Sequence, residues 1–417
     1  MRKFIASSRI EGEVQAPPSK SLMLRAVAAA VLTEGRAVTI TNPSVCDDAA
    51  AALGVAAGLG AAVRREPGRV VIEAGAHPAA RVLQCGESGL TLRMFPAVAA
   101  LSPGEFVFEG QGSLLRRPVG MLEAPLRALG AACETRGGFA PVTVRGPLRG
   151  GRAVVDGGLS SQALTGLLLA LPRAAGDSEL VVPEIKSRAY VEMTLAFLGR
   201  AGIEVAGGVP GVLRIAGGQT YALTEYNVEG DWSGAAFLLV AGALAGAVTV
   251  RGLDPRSLQA DRAVCEALER CGAGLTVGAA GVSARRRDLR AFAMDLAGAP
   301  DLFPPLAALA CFCEGTTRLD GVDRLRHKES DRAAALEQEF GRLGADLRLE
   351  GNALVVRGGP LGGGTASSRG DHRIAMALAV AGLRAGADVV VEDARCVDKS
   401  YPRFFEDLAA VGGRIHE

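Results

Sequence analysis

Two periods of hydrophobicity alternate along this chain. Stretches such as "MLEAPLRAL" and "AAALEQEFGRL" place apolar residues on one face at helical spacing. A glycine follows each, and the period then falls to two through a strand, a turn and a second strand. The same unit recurs as "LGAAVRREPGRVVIEAG" from Leu59, "LGAACETRGGFAPVTVRG" from Leu129, "AGIEVAGGVPGVLRIAGG" from Ala201, "CGAGLTVGAAGVSARRRD" from Cys271 and "LGADLRLEGNALVVRGG" from Leu343. Its glycines are Gly60, Gly130, Gly202, Gly272 and Gly344, and a sixth start, "VGGRIHE", carries Gly412 but has no second strand. The intervals are 70, 72, 70, 72 and 68 residues. A chain with 55 glycines would repeat single glycines by chance, but not a helix before and a hairpin after each one.

Six such units predict an α/β fold of two globular domains, three units in each. The opening "MRKFIAS" reads as a strand without a local partner, so it is expected to pair with the C-terminal strand. The N-terminus then belongs to the last domain, and the chain crosses between domains twice. "APPSK" at 16–20 and "YNVEGDWSG" at 226–234 are the expected crossings. The predicted domains are 1–17 with 231–417, and 18–230. A cleft between them is the favoured place for a ligand.

Composition narrows the class. A length of 417 residues suits two cores, and 49% hydrophobic with 22% charged residues suits a soluble globular protein. Lys plus Arg minus Asp plus Glu is 46 − 45 = +1, and aromatics are 4%, so neither charge nor stacking surface argues for nucleic acid. Eight cysteines without framework spacing read as reduced thiols of a cytoplasmic protein. No signal peptide and no membrane-spanning apolar run is read in the sequence.

The polar clusters fall at the starts of elements. "PPSKSLMLR" opens a helix with Lys20, Ser21 and Arg25, where unpaired N–H groups already favour anions. "CGESGLTLR" brings Gly89 and Arg93, "LLRRPVG" Arg116 and Arg117, "GGLSSQALTG" Ser160, Ser161 and Gln162, and "KSRAY" Ser187 and Tyr190. "RLRHKESDR" supplies Lys328, Glu329 and Arg332, "DHR" Arg373, and "DKSYPR" Lys399. Each alone is an ordinary cap or a solvated charge; together they suit ligands with several negative charges. Two carboxylates are acid–base candidates. Asp301 precedes an apolar helix, where burial would raise its pKa unless it is bonded or caps the helix. Glu329 lies beside Lys328, which would keep it ionised. No Walker loop, metal-ligand spacing or hydrolase triad is present in the sequence.

Eleven motifs in order, "SKSLMLR", "GESGLTLR", "RRPVG", "SSQALT", "SRAY", "EGDWSGAAFLL", "SLQAD", "PDLFPPLAALA", "HKESDR", "DHRIAM" and "DKSYPRFFEDL", resemble the 5-enolpyruvylshikimate-3-phosphate synthase family. The resemblance implies two domains of three α/β units, inside-out and barrel-like, with ligands in the cleft. It implies transfer of the enolpyruvyl group of phosphoenolpyruvate to the 5-hydroxyl of shikimate 3-phosphate, with no metal or organic cofactor. It further implies a cytoplasmic monomer whose partners are these two substrates, without nucleic acid or membrane. By the same resemblance Lys20, Ser21, Arg25, Ser160, Ser161, Gln162, Ser187, Tyr190, Asp301 and Lys328 contact shikimate 3-phosphate. Lys20, Gly89, Arg117, Gln162, Arg332, Arg373 and Lys399 surround phosphoenolpyruvate. Asp301, Glu329 and Lys20 are the implied proton carriers.

The chain departs from the family at Glu87-Ser88-Gly89-Leu90, where Asn-Ala-Gly-Thr is usual, so a carboxylate is expected beside the phosphoenolpyruvate pocket. Arg324, Ser19 and Trp232 are further departures. Two alternatives stay open at this point. One is the sister transferase acting on UDP-N-acetylglucosamine, although the "LLRRPVG" loop lacks its reactive cysteine. The other is a binding protein that kept the fold without turnover.

Overall fold

The computed structural model describes residues 1–158, 160–278 and 281–417. Leu159 of "GGLSSQALTG" and Ala279 and Ala280 of "CGAGLTVGAAGVSARRRD" lie outside the described residues. Among the described residues the repeat period appears as six four-stranded sheets of one design. In each, two strands run parallel, a third pairs antiparallel with the second, and a fourth pairs antiparallel with the third. Val82–Gln84, Gly104–Glu109, Phe139–Gly146 and Ala132–Arg136 form one such sheet in that order. The repeated glycine ends the helix before the hairpin with positive φ, 99° at Gly60 and 88° at Gly344, a conformation that side chains with a Cβ rarely adopt.

The sixth sheet is assembled from both ends of the sequence. Lys3–Ala6 lies between Val389–Glu392 and Arg414–His416 and is antiparallel to both. Ile5 faces Val389 on one side and Ile415 on the other.

The chain divides into two compact units, Met1–Pro17 with Glu229–Glu417, and Pro18–Val228. Each has its own apolar core. In the first, Trp232–Ala245 is apolar on every face and buried along its whole length, as such a helix must be. Each of its buried leucines contributes about 1.5–3 kcal/mol through burial. Asp231 caps it, accepting from the amides of Ser233 and Gly234 at 3.3 Å. Trp232, a departure from the family pattern, fills this core and donates from its indole to the Asp254 carbonyl at 3.1 Å.

In the second unit, Gly89–Ala99 packs against Gln162–Ala170. A Cβ at Gly166 would stand 2.6 Å from the Met94 carbonyl oxygen, so only glycine permits this approach. That contact sets the spacing between Gly89 and Arg93 on one helix and Gln162 on the other. All eight cysteines are unpaired thiols. Among the described residues no helix is long and apolar enough to cross a membrane.

Candidate functional site

In Pro18–Val228 the helix Lys20–Leu32 starts after Ser19, which takes the N-cap position without a side-chain bond to the first turn. Lys20 Nζ lies 2.9 Å from Oδ2 of buried Asp48. Arg25 is 2% exposed and points into the unit. Its Nε donates to Thr194 Oγ1 at 2.9 Å, Nη1 to the Ser21 carbonyl at 2.7 Å and Nη2 to the Tyr190 carbonyl at 3.2 Å. Burial lowers its pKa to about 10, with Tyr226 and Tyr190 opposing, so it stays charged at neutral pH. Arg25 thereby fixes Arg188–Arg200, whose N-cap position is Ser187, against the Lys20 helix.

Gln162 opens its helix with its amide nitrogen donating to Ser160 Oγ at 3.2 Å, and Ser161 stands at the N-cap position. Gln162 Oε1 accepts from Arg93 Nη1 at 2.8 Å. The other two nitrogens of Arg93 donate to the Pro118 carbonyl at 3.2 and 2.8 Å. Arg93 was assigned no role in the sequence, yet it links Gln162 to the loop that presents Arg117. The available signal was an arginine within an otherwise apolar helix.

Gly89 begins its helix directly against Arg117. A Cβ there would stand 2.8–2.9 Å from the Arg117 guanidinium atoms. Glu87 Oε2 accepts from the Ser113 amide at 3.2 Å and the Ser113 hydroxyl at 2.5 Å. The unusual carboxylate therefore anchors the turn leading to Arg117. Leu90 is 8% exposed and joins the apolar core, which accounts for its lack of a hydroxyl.

In the other unit, Asp301 sits in the 3-10 turn Pro300–Leu302. Arg332 Nη1 lies 2.9 Å and Lys328 Nζ 3.4 Å from its Oδ1, and Arg373 Nη2 lies 3.2 Å from its Oδ2. Burial pushes the pKa of this carboxyl up, but Arg373, Lys328 and Arg332 together outweigh burial and hold it well below the usual carboxylate range. The sequence left open whether this carboxylate is bonded; it is, and the three cations come from two other segments, Lys328 with Arg332 and Arg373. Asp301 is also not the helix cap, because Leu302 occupies that position.

Arg332 is fully buried and organises the cluster. Nη2 reaches Glu329 Oε2 at 2.7 Å and Asp371 Oδ1 at 3.2 Å, while Nε reaches Asp371 Oδ2 at 2.9 Å. Burial alone would weaken its hold on the proton, but Asp371, Glu329 and Asp301 strengthen it. Asp371 is fully buried, accepts from Ser330 Oγ at 3.1 Å and caps His372–Gly382 through the Arg373 amide at 3.0 Å. Lys399 Nζ stands 4.0 Å from Glu329 Oε1. Lys328, expected beside Glu329, reaches to Asp301, and burial is the main influence lowering its pKa. Arg373 Nη1 is buried and has no hydrogen-bond partner among the described residues. The cluster thus holds an ionised acceptor, a second carboxylate and a buried cationic donor available to an anion.

Sequence reasoning assigned no role to Asp48, Asp261 or Asp371. Asp261 was present in the motif "SLQAD"; its environment was not readable there. It is 2% exposed, takes a hydrogen bond from the Ser233 hydroxyl, and its Oδ1 has no partner among the described residues. Burial, with Asp301 and Asp231 adding to it against Arg373 and Lys328, pushes its pKa up to about 7. An unfolded chain releases this proton near the ordinary carboxylate pKa of about 4, so Asp261 costs stability as pH rises from there to about 7. Asp261→Asn is accordingly expected to raise Tm at pH 8 by about 2–8 °C, and by nothing at pH 4. Thermal unfolding at the two pH values checks this; an equal shift at both would exclude a proton held at Asp261.

The profile of the family EPSP synthase (3-phosphoshikimate 1-carboxyvinyltransferase) matches residues 5–408. A 3-phosphoshikimate 1-carboxyvinyltransferase of Aeropyrum pernix is 42% identical over 416 residues, covering 99% of this chain and 96% of that one. One of Methanocorpusculum labreanum is 38% identical over 423 residues, covering 100% of both. The solved EPSP synthase structure from Acinetobacter baumannii superposes with a TM-score of 0.84 at 27% identity, covering 100% of this chain and 99% of that one.

Proposed function

The chain belongs to the EPSP synthase family, and on that premise we propose that it transfers the enolpyruvyl group of phosphoenolpyruvate to the 5-hydroxyl of shikimate 3-phosphate, releasing phosphate. The observation that carries the reading is Asp301 held ionised by Lys328, Arg332 and Arg373, with Glu329 bonded to the same arginine. Addition requires the hydroxyl oxygen to bond to C2 of phosphoenolpyruvate, lose its proton, and leave C3 as a methyl group. Elimination then removes a proton from that methyl, restores the C2–C3 double bond and expels phosphate. Asp301 takes the hydroxyl proton, which leaves with the departing phosphate; Glu329, protonated once the substrate anions fill the site, gives the C3 proton on addition and recovers it on elimination, and Lys20 stabilises charge between the reactants. The cations stabilise negative charge as it moves to the departing phosphate.

Shikimate 3-phosphate is bound by Ser21, Arg25, Ser160, Ser161, Gln162, Ser187, Tyr190 and Lys328. Phosphoenolpyruvate is bound by Arg117, Arg373 and Lys399, with Lys20, Gln162 and the backbone at Gly89. Arg332 already makes four bonds to carboxylates, which leaves about one of a guanidinium's five N–H groups for a ligand. Its main contribution is to align Asp301 and Glu329. Substrate anions also offset the positive field around Asp301, so its affinity for a proton rises when the site is filled. The enzyme acts as a cytoplasmic monomer without metal or organic cofactor; eight unpaired thiols suit a reducing compartment.

Phosphate release with both substrates is the direct test. Turnover is expected, and tight binding of shikimate 3-phosphate without turnover would mark a binding protein. Gly89→Ala is expected to raise KM for phosphoenolpyruvate by about tenfold or more, because the added methyl displaces Arg117. KM for shikimate 3-phosphate should move much less. Initial rates with each substrate varied in turn separate the two effects; equal shifts in both would exclude a local displacement of Arg117.

A further inference from the structure

The unit formed by Met1–Pro17 and Glu229–Glu417 carries a second basic feature, built from residues that take no part in the cluster around Asp301. Two adjoining concavities of about 790 and 680 Å³ share Arg286, Arg287, Asp288 and Arg384. Arg9 and Arg285 line the first, and Arg290 and Phe312 the second. Six arginines therefore meet three carboxylates, those of Glu11, Asp288 and Glu314. Glu11 is 3.7 Å from Arg9, but Arg285, Arg286, Arg287, Arg290 and Arg384 have no ion pair among the described residues.

The arginines stand on a fixed frame. Arg285 ends the strand Gly281–Arg285, the Arg286 amide donates to the Gly246 carbonyl at 2.8 Å, and the Arg290 amide to that of Cys271 at 2.9 Å. Arg384 lies over the Phe312 ring at 5.1 Å, with Nη1 buried and without a hydrogen-bond partner among the described residues. Burial and the nearby Arg286 both weaken its hold on the proton. Five like charges are thus gathered beside Asp288 and Glu314 without an ion pair to either among the described residues, and a bound anion would offset their mutual repulsion. Forked guanidinium groups suit phosphate oxygens, and the volumes fit a small molecule.

We propose that this arginine-lined concavity is a binding site for a small diphosphate-bearing anion, separate from the cluster around Asp301. A nucleic acid is the less favoured occupant, since the chain has a net charge of +1 and few aromatics to stack bases.

Isothermal titration of the full chain, saturated with shikimate 3-phosphate, uses inorganic pyrophosphate and ADP as probes. One saturable site is expected, weakened about tenfold or more in the exposed pair Arg286→Gln/Arg287→Gln, with phosphate-release activity retained. Arg384→Gln should weaken binding similarly, and thermal unfolding verifies that each variant is folded. Tighter binding of ADP would identify a nucleotide as the source of the diphosphate, and equal binding a free diphosphate; either supports the site. Unchanged pyrophosphate and ADP binding in the folded double variant overturns the proposal, as does no saturation by either probe. Loss of binding in Arg373→Gln with none in the double variant also overturns it, assigning the anion to the other cluster. So does arginine-dependent binding of a single-stranded oligonucleotide in the absence of binding by either diphosphate probe.

Discussion

Asp301→Asn lowers kcat by about 10²-fold or more while shikimate 3-phosphate still binds within about tenfold of the parent affinity. The substitution keeps the size of the side chain and removes its capacity to accept a full proton. It also removes one negative charge from a cluster that contains Lys328, Arg332 and Arg373. Anionic ligands therefore face a more positive site, so weak binding cannot be the source of the lost rate. Burst-free steady-state kinetics and calorimetric titration of shikimate 3-phosphate separate the two quantities. A kcat close to the parent value would remove Asp301 from the proton transfer and leave Glu329 or Lys20 to carry it.

Arg332→Leu is expected to cost about 3–5 kcal/mol of stability, the usual price of leaving a buried charge without its partner. For units of this size that corresponds to a fall in Tm of about 6–20 °C. The reason is the number of carboxylates that depend on one guanidinium: Asp371, Glu329 and Asp301 all bond to it, and Asp371 is fully buried. The deficit narrows in acid, where protons can stand in for the missing cation. Arg332→Lys recovers only part of it, because an ammonium cannot span acceptors on several sides. Thermal unfolding at pH 5 and pH 8 tests all three statements. Parent-like Tm for Arg332→Leu at pH 8 would show that the carboxylates find other partners.

The repeated α/β design was legible because it depends on local chemistry. A helix that ends on a positive-φ glycine and turns into a hairpin leaves the same trace at Gly60, Gly130, Gly202, Gly272 and Gly344. The helix starts bearing Lys20, Gln162 and Arg373 were legible for a similar reason, since polar residues before an apolar run mark an N-terminus. Charge states were not legible. The proton affinity of Asp301 is decided by side chains 27, 31 and 72 positions further along, at Lys328, Arg332 and Arg373. Asp261 depends in the same way on burial, and on Asp301 and Arg373 from other segments. Glu87 was legible only in part. Its charge was plain, but the Ser113 contact that occupies it exists only once the chain has folded.

The strand Lys3–Ala6, set between Val389–Glu392 and Arg414–His416, also orders events during translation. At about 5–20 residues per second, Phe4 leaves the ribosome on the order of 20–80 s before its neighbour His416 is made. Pro18–Val228 is contiguous and can close its core meanwhile. The nascent polypeptide thus carries Phe4 and Ile5 without their strand neighbours throughout, and their sheet is completed only once Arg414–His416 has been synthesised.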